Sequence, residues 1–234
     1  MKIKLSNRLA AVAEKVPQGA TVADIGTDHG YLAVYLVVEG ISPSIVATDR
    51  AKGPLASAKQ LVELLSLSHK IDMRLGDGLA VLKPGEVNTI CIAGMGGMAI
   101  IDILKEQPDV VKQTQRFIFQ PMRGASNLRK YLVENGFQIV DEDLAVDDGF
   151  YYEIIVAEAG QMTLNDDEAE FGPLLLAKRH PLLLGFLELK KADLERLLEG
   201  MARNNSEESL KRKEQLAASI AQMQRVIEDI KDED

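Results

Sequence analysis

Three aspartates follow three successive short apolar runs: Asp24 in Ala20-Thr-Val-Ala-Asp-Ile25, Asp49 after Ser44-Ile-Val-Ala-Thr48, and Asp77 in Leu75-Gly-Asp-Gly-Leu79. The first run enters Asp24-Ile-Gly-Thr-Asp-His-Gly-Tyr-Leu32. A glycine-bearing turn between a strand and a helix brings backbone close to a ligand and offers free N–H groups to it. A dinucleotide-binding loop would want a third glycine where Asp28 stands, and that carboxylate beside a pyrophosphate would repel it. Asp24 and Asp28 suit a cationic ligand instead, such as the ammonium and sulfonium of S-adenosylmethionine. Asp49, at the end of the adjacent run, reads either as the acid that takes both hydroxyls of a ribose or as a helix N-cap. Asp77 reads either as an acceptor for an adenine amino group or as part of a type I turn. Together the three acids predict one crevice at the carboxyl edge of a sheet.

A fourth run ends in Ile92-Ala-Gly-Met-Gly-Gly-Met98. Enzymes that methylate a base nitrogen often carry Asn or Asp followed by Pro-Pro-aromatic here, and this chain does not. Its three glycines would leave carbonyls and amides facing a planar ligand, with Met95 as an apolar platform; the alternative is a tightly packed helix entry. Phe119-Gln-Pro-Met-Arg123 closes the fifth run. His69 and His180 read as surface or capping residues and Cys91 as a buried, inert thiol, whereas His29 shares the acidic loop. No Ser/His/Asp constellation and no P-loop is present.

The elements that must position these residues alternate. Strand signals at Ala20–Ile25, Ser44–Thr48, Ile71–Leu75, Val87–Ile92 and Arg116–Phe119 are separated by helical stretches such as Leu55–Leu67 and Ser126–Asn135. This spacing predicts βαβ units on a mostly parallel sheet, an α/β fold. Between Phe137–Val140 and Tyr151–Ala157 the gap is too short for a crossover helix, so these two should pair as a hairpin. The strand signals stop near Gly160, which predicts one domain over residues 1–160 and a helical one over 161–234. In the latter, Thr163-Leu-Asn-Asp-Asp-Glu offers a helix start, and Pro173 and Pro181 punctuate two short pieces. Leu183, Leu187, Leu194, Leu197 and Met201, then Leu216, Ile220, Met223, Ile227 and Ile230, predict an antiparallel, coiled-coil-like hairpin turning at 202–206 with Ser206 as N-cap. A narrow seam fits a protruding arm, and packing back onto the sheet domain is the alternative.

The chain has 234 residues, 46% hydrophobic and 27% charged, enough for a core and too apolar for wholesale disorder. One cysteine and three histidines argue against a disulfide framework or a resident metal. No signal-peptide or membrane-spanning run is seen, so a cytoplasmic protein is expected. The net charge of -9 argues, taken alone, against a nucleic-acid partner.

Leu5-Ser-Asn-Arg-Leu9, Ala23-Asp-Ile-Gly-Thr-Asp-His-Gly-Tyr-Leu32, Gly53-Pro54, Arg74-Leu-Gly-Asp-Gly-Leu79, Ile92-Ala-Gly-Met-Gly-Gly97 and Gln120-Pro121 together resemble the bacterial TrmK family of tRNA adenine-22 N1-methyltransferases. The resemblance spans roughly residues 3 to 160. It implies a Rossmann-like class I methyltransferase with a seven-stranded sheet, S-adenosylmethionine as cofactor and tRNA as partner. Asp24, Gly26, Asp49, Asp77 and Gly78 carry over as cofactor contacts, and Thr27, Gly30, Arg50, Ala93 and Gly94 complete that candidate set. Adenine N1 is already nucleophilic, so catalysis reduces to alignment and to stabilising charge that develops on the base. Asp28, His29, Tyr31 and Met95 are the candidate catalytic residues. Candidate tRNA contacts are Arg8, Arg123, Lys211, Arg212 and Lys213, because basic residues are clustered although residues 161–234 carry net -5 and the remainder net -4. A methyltransferase of similar fold acting on a protein or small molecule, and a non-catalytic nucleotide-binding scaffold, are the competing readings; the sequence leaves monomer or weak dimer open.

Overall fold

The computed structural model describes residues 3–201 and 206–232. Strands β1 (Val22–Ile25), β2 (Ile45–Asp49), β3 (Ile71–Leu75), β4 (Thr89–Gly96), β5 (Arg116–Arg123), β6 (Phe137–Asp147) and β7 (Phe150–Ala159) form one sheet in the order β3-β2-β1-β4-β5-β7-β6. The first five are parallel, and β7 runs antiparallel between β5 and β6. All four residues of β1 are buried, as a strand covered on both faces requires. The chain leaves β1 in one direction towards β2 and β3 and returns on the other side as β4, so the carboxyl ends of β1 and β4 flank a switch point, where open α/β sheets bind ligands.

Helix α1 (Asn7–Glu14) precedes the sheet, and α2 (Tyr31–Val38), α3 (Lys52–Leu64), α4 (Gly97–Glu106), α5 (Pro108–Gln113) and α6 (Ala125–Glu134) make the crossovers. In α2, Leu32, Ala33, Val34, Leu36 and Val37 are all buried, so this short helix is core on almost every side. The seven strands and the final hairpin are as the pattern predicted. The hairpin's strands are longer than expected: the acidic stretch Asp141–Asp147 is itself strand, and only Asp148-Gly149 turns the chain, at φ 48° and 80°. Two successive positive φ values define the type I′ turn that matches strand twist. The acids inside β6 are paired: Lys15 Nζ lies 3.0 Å from Asp141 and 2.7 Å from Asp143, and buried Glu142 accepts from buried Arg129 at 2.7 Å.

The chain divides into two compact units, residues 1–165 and 166–234. The second contains α7 (Asp166–Phe171), α8 (Pro173–Ala177), α9 (Leu183–Gly200) and α10 (Glu207–Asp232). Asp167 on α7 accepts from Gln222 and Arg225 of α10, both at 2.8 Å, and Lys190 of α9 pairs with Glu170 at 2.8 Å. Ser206 caps α10 by accepting the Ser209 N–H at 3.2 Å; the rest of the expected turn, 202–205, lies outside the described residues. Leu183, Leu187, Leu216, Met223 and Ile227 are buried as expected of the seam. Leu197 is not in it, being 47% exposed. The half-buried row runs Leu194, Leu198, Met201, and a residue one position before Leu198 points about 100° away from it. Among the described residues, no helix is long and apolar enough to cross a membrane.

Candidate active site

A cavity of about 670 Å³ opens at the carboxyl edge of β1, β2 and β4. Asp24 forms its floor, 4% exposed. The Thr27 hydroxyl donates to Asp24 Oδ2 at 2.6 Å. Burial nevertheless pushes this carboxyl up to about 6; the Thr27 bond lowers it, the nearby charge of Asp49 raises it, and the Ala33 N–H lowers it. A carboxylate this costly to ionise is poised to gain from a cation brought into the cavity. Beside it Thr48 is 1% exposed, and its hydroxyl has no hydrogen-bond partner among the described residues although it lines the same space.

Asp49 does two jobs with its two oxygens. Oδ1 accepts the Ala51 N–H at 2.8 Å, ahead of α3, and Oδ2 accepts the Asp28 N–H at 3.1 Å. The acid at the end of β2 therefore holds the β1–α2 loop in place. That loop needs holding because Asp28 sits at φ 53°, a region that a non-glycine residue occupies at a cost. Asp28, His29 and Tyr31 are exposed at the mouth; His29 Nε2 lies 3.7 Å from Asp28 Oδ1, and the His29 and Tyr31 ring centroids are 5.9 Å apart. Met95 reaches over from β4 so closely that a Cβ on Gly26 would strike its terminal methyl group.

The β4–β5 ladder breaks at the cavity wall. Ala93 pairs with Gln120 and Met95 with Pro121, leaving Gly94 as an extra residue at φ 79°. Its N–H, lost to the ladder, donates to Gln120 Oε1 at 3.1 Å. Arg8 Nη1 donates to the same oxygen at 2.7 Å. A second shift follows, with Gly96 opposite Arg123, and the chains then approach until a Cβ on Gly97 would meet the carbonyl group of Gly124. The three glycines thus serve a bulge and a close backbone crossing as well as an open wall. On the opposite wall, Gly78 packs on Ile103 of α4, with Asp77 beside it. The loop carrying Asp77 is tied down by Arg74, which donates to Glu86 at 2.6 and 2.9 Å and to the Val81 carbonyl at 2.8 Å. That pairing holds the Glu86 carboxyl down at about 2.

Of the residues singled out from sequence, Arg8, Asp24, Gly26, Thr27, Asp28, His29, Tyr31, Asp49, Arg50, Asp77, Gly78, Ala93, Gly94 and Met95 line this cavity. Gly30 does not: at φ 75° it starts α2, and its Cα faces Ala58 of α3. Arg123 flanks the wall opposite Gly96 without lining the cavity. Lys211, Arg212 and Lys213 belong to α10 of the second unit. Sequence reasoning missed Thr48, Ile103, Asp102 and Glu106 on the lining and gave Gln120 no role in the site. Ile103 and Glu106 stand at i and i+3 on α4 and Asp102 and Glu106 at i and i+4, a spacing that could have flagged one helix face.

A methyltransferase-domain family model matches residues 5–155. The tRNA (adenine(22)-N(1))-methyltransferase of Bacillus subtilis is 43% identical over 159 residues, 68% of this chain and 67% of that protein. The chain belongs to this family. Two solved structures extend the likeness over both units. A Streptococcus pneumoniae protein crystallised with S-adenosyl-L-methionine has TM-score 0.87 and 36% identity, covering 96% of this chain and all of that one. Mycoplasma capricolum TrmK, in complex with S-adenosyl-homocysteine, has TM-score 0.82 and 28% identity, covering 97% and 98%.

Proposed function

We propose that this TrmK-family chain transfers a methyl group from S-adenosylmethionine to N1 of adenine 22 in tRNA. The observation that carries the reading is that two of the segments bearing the family resemblance, Asp24–Leu32 and Ile92–Gly97, contribute residues to the wall of one cavity. The cavity's chemistry fits the cofactor on two counts visible in this structure: a buried carboxylate at Asp24 awaiting a cation, and an unpartnered buried hydroxyl at Thr48. Its size falls within the usual range for small-molecule sites.

Asp24 would hold the ammonium of the bound cofactor, Asp49 its ribose hydroxyls through the lone pairs left free by the two amides, and Asp77 its adenine amino group beside Ile103. When bound, the cofactor supplies an electrophilic methyl carbon on a sulfonium. The chain's residues need not provide a nucleophile, because adenine N1 carries its own lone pair. Their work is alignment and charge: Tyr31, 49% exposed at the mouth, offers a stacking face for the extruded base, and Asp28 offers an acceptor towards its exocyclic amine as positive charge develops. Met95, packed against Gly26, would help keep water from the reacting groups once the cofactor is bound. With tRNA as substrate, the enzyme works in the cytoplasm. Incubation of the full chain with tritiated cofactor and unmodified tRNA should put label into RNA; label in protein or small molecules alone would favour the other methyltransferase reading.

A further inference from the structure

We propose that Gln120 is a positioning residue that makes Arg8 an oxyanion site inside the cavity. Gln120 is fully buried, yet all of its amide is used. Oε1 receives both Arg8 Nη1 and the Gly94 N–H, and Nε2 donates to the Pro121 carbonyl at 3.1 Å and faces Met122 Sδ at 3.7 Å. The Pro121 carbonyl can only accept, which assigns the amide's orientation and turns its oxygen to Arg8.

Arg8 is held further through its helix and by an aromatic ring. Its helix is capped by Ser6 and tied to the sheet by Asn7 Nδ2 on the Val146 carbonyl at 2.9 Å and by Lys15 on Asp141 and Asp143. Its guanidinium carbon lies 5.7 Å from the centre of the Tyr152 ring. The two groups that touch the guanidinium itself, the Gln120 amide and the Tyr152 ring, are neutral. Among the described residues Arg8 forms no ion pair and no second hydrogen bond, although six acids line the same cavity. A carboxylate at position 120 would cancel the charge; an amide fixes the guanidinium and leaves its full charge and remaining donors to a ligand. A fixed guanidinium fork matches a carboxylate or a phosphate group. Two sources carry such oxygens in the proposed reaction, the amino-acid end of the methyl donor and an RNA phosphate.

This inference rests on the methyl-transfer reading, which wild-type binding of the two ligands tests separately. The experiment measures S-adenosylmethionine affinity by calorimetry and tRNA affinity across salt for Arg8→Gln, Gln120→Leu and the double variant of the full chain. Arg8→Gln should weaken one arm about tenfold or more. If that arm is RNA, the slope of log affinity on log salt should shrink by about 0.7–0.9, as for one lost phosphate contact. Gln120→Leu should weaken the same arm by most of that factor and leave the other near wild type, and the double variant should be no worse than Arg8→Gln. Unchanged binding in both arms for either single variant, or losses that multiply in the double, would overturn the assignment. Gln120→Glu, nearly the same size, carries the same test should Gln120→Leu not fold: its carboxylate should pair with Arg8 and weaken the arm that Arg8→Gln weakens, and no effect there refutes the positioned guanidinium. Failure of the wild-type chain to bind either ligand would instead reject the underlying function.

Discussion

Asp24 shows how a residue can cost stability and still be required. Its carboxyl sits at about 6 in the folded chain against an ordinary 3.8, so the folded state prefers the proton. The stability this gives is complete below pH 3.8 and is lost as pH rises through about 6, by up to about 3 kcal/mol. Asp24→Asn should therefore make the ligand-free chain more stable at pH 8, by about 1–3 kcal/mol in urea unfolding, with the gain vanishing towards pH 4. The same substitution should abolish tight cofactor binding. In the wild type, affinity should fall below about pH 6, approaching tenfold per unit, because the ammonium needs the ionised partner. A variant no more stable than wild type at pH 8 would contradict this account of the buried charge. Asp24, Asp28 and Asp49 were legible in sequence as one crevice because acids in the first loop and at the ends of successive strands converge on one sheet edge, although Asp49 also takes the capping position before α3 that its place in the sequence equally allowed. Thr48 was not, since a hydroxyl inside Ile-Val-Ala-Thr reads as an ordinary β-branched strand residue. Gln120 was likewise hidden, because its main partners, Arg8 and the Gly94 N–H freed by the bulge, are distant in sequence and meet it only in the fold.

At the scale of elements, the site depends on two strand ends being brought closer than side chains allow. Gly97→Ala places a Cβ against the backbone of Gly124, also near the Arg123 carbonyl at 3.2 Å, and neither can swing away as a flexible side chain could. The expected cost is about 1–3 kcal/mol in unfolding free energy, with weakened cofactor binding because the wall at Ala93–Gly96 shifts. Gly53→Ala is the contrast: beyond its chain neighbours nothing lies within 4 Å of its added Cβ, and the gain from a better helix former within α3 is offset by crowding against Pro54, so stability should change by less than about 1 kcal/mol. Equal unfolding midpoints for the two variants would refute the close-approach argument. The parallel strands and the crossover helices were readable from hydrophobic period alone. The long hairpin arms of β6 and β7 were not, because Asp141, Glu142 and Asp143 look like loop until Lys15 and Arg129 are seen to pair with them. Leu197 failed for the opposite reason: three-four spacing admits two neighbouring rows on a helix, and Leu198 took the seam.

Across the whole chain, an acidic total of -9 coexists with a reading that needs RNA. The cavity absorbs part of the conflict, since Asp24, Asp49 and Asp77 face a cationic or hydroxyl-bearing cofactor in the proposed mechanism. On α10, Lys211 and Arg212 are exposed, with Lys211 paired to Glu207 at 3.2 Å. If this helix grips tRNA, reversing Lys211 and Arg212 to Glu should weaken binding at low salt and reduce the salt slope by roughly 0.7–0.9 per lost phosphate contact, leaving cofactor affinity unchanged. An unchanged slope would remove α10 from the RNA surface. The proposed reaction is more specific than RNA binding, since it modifies one atom of one nucleotide. A methyl group on N1 of adenine blocks base pairing, so reverse transcription of unmodified tRNA incubated with the chain and S-adenosylmethionine reads it directly. The expected result is a new stop at adenine 22 that disappears when that adenine is replaced by guanine or the cofactor is omitted. Full-length extension despite bound cofactor and tRNA, or a stop at a different nucleotide, would contradict it.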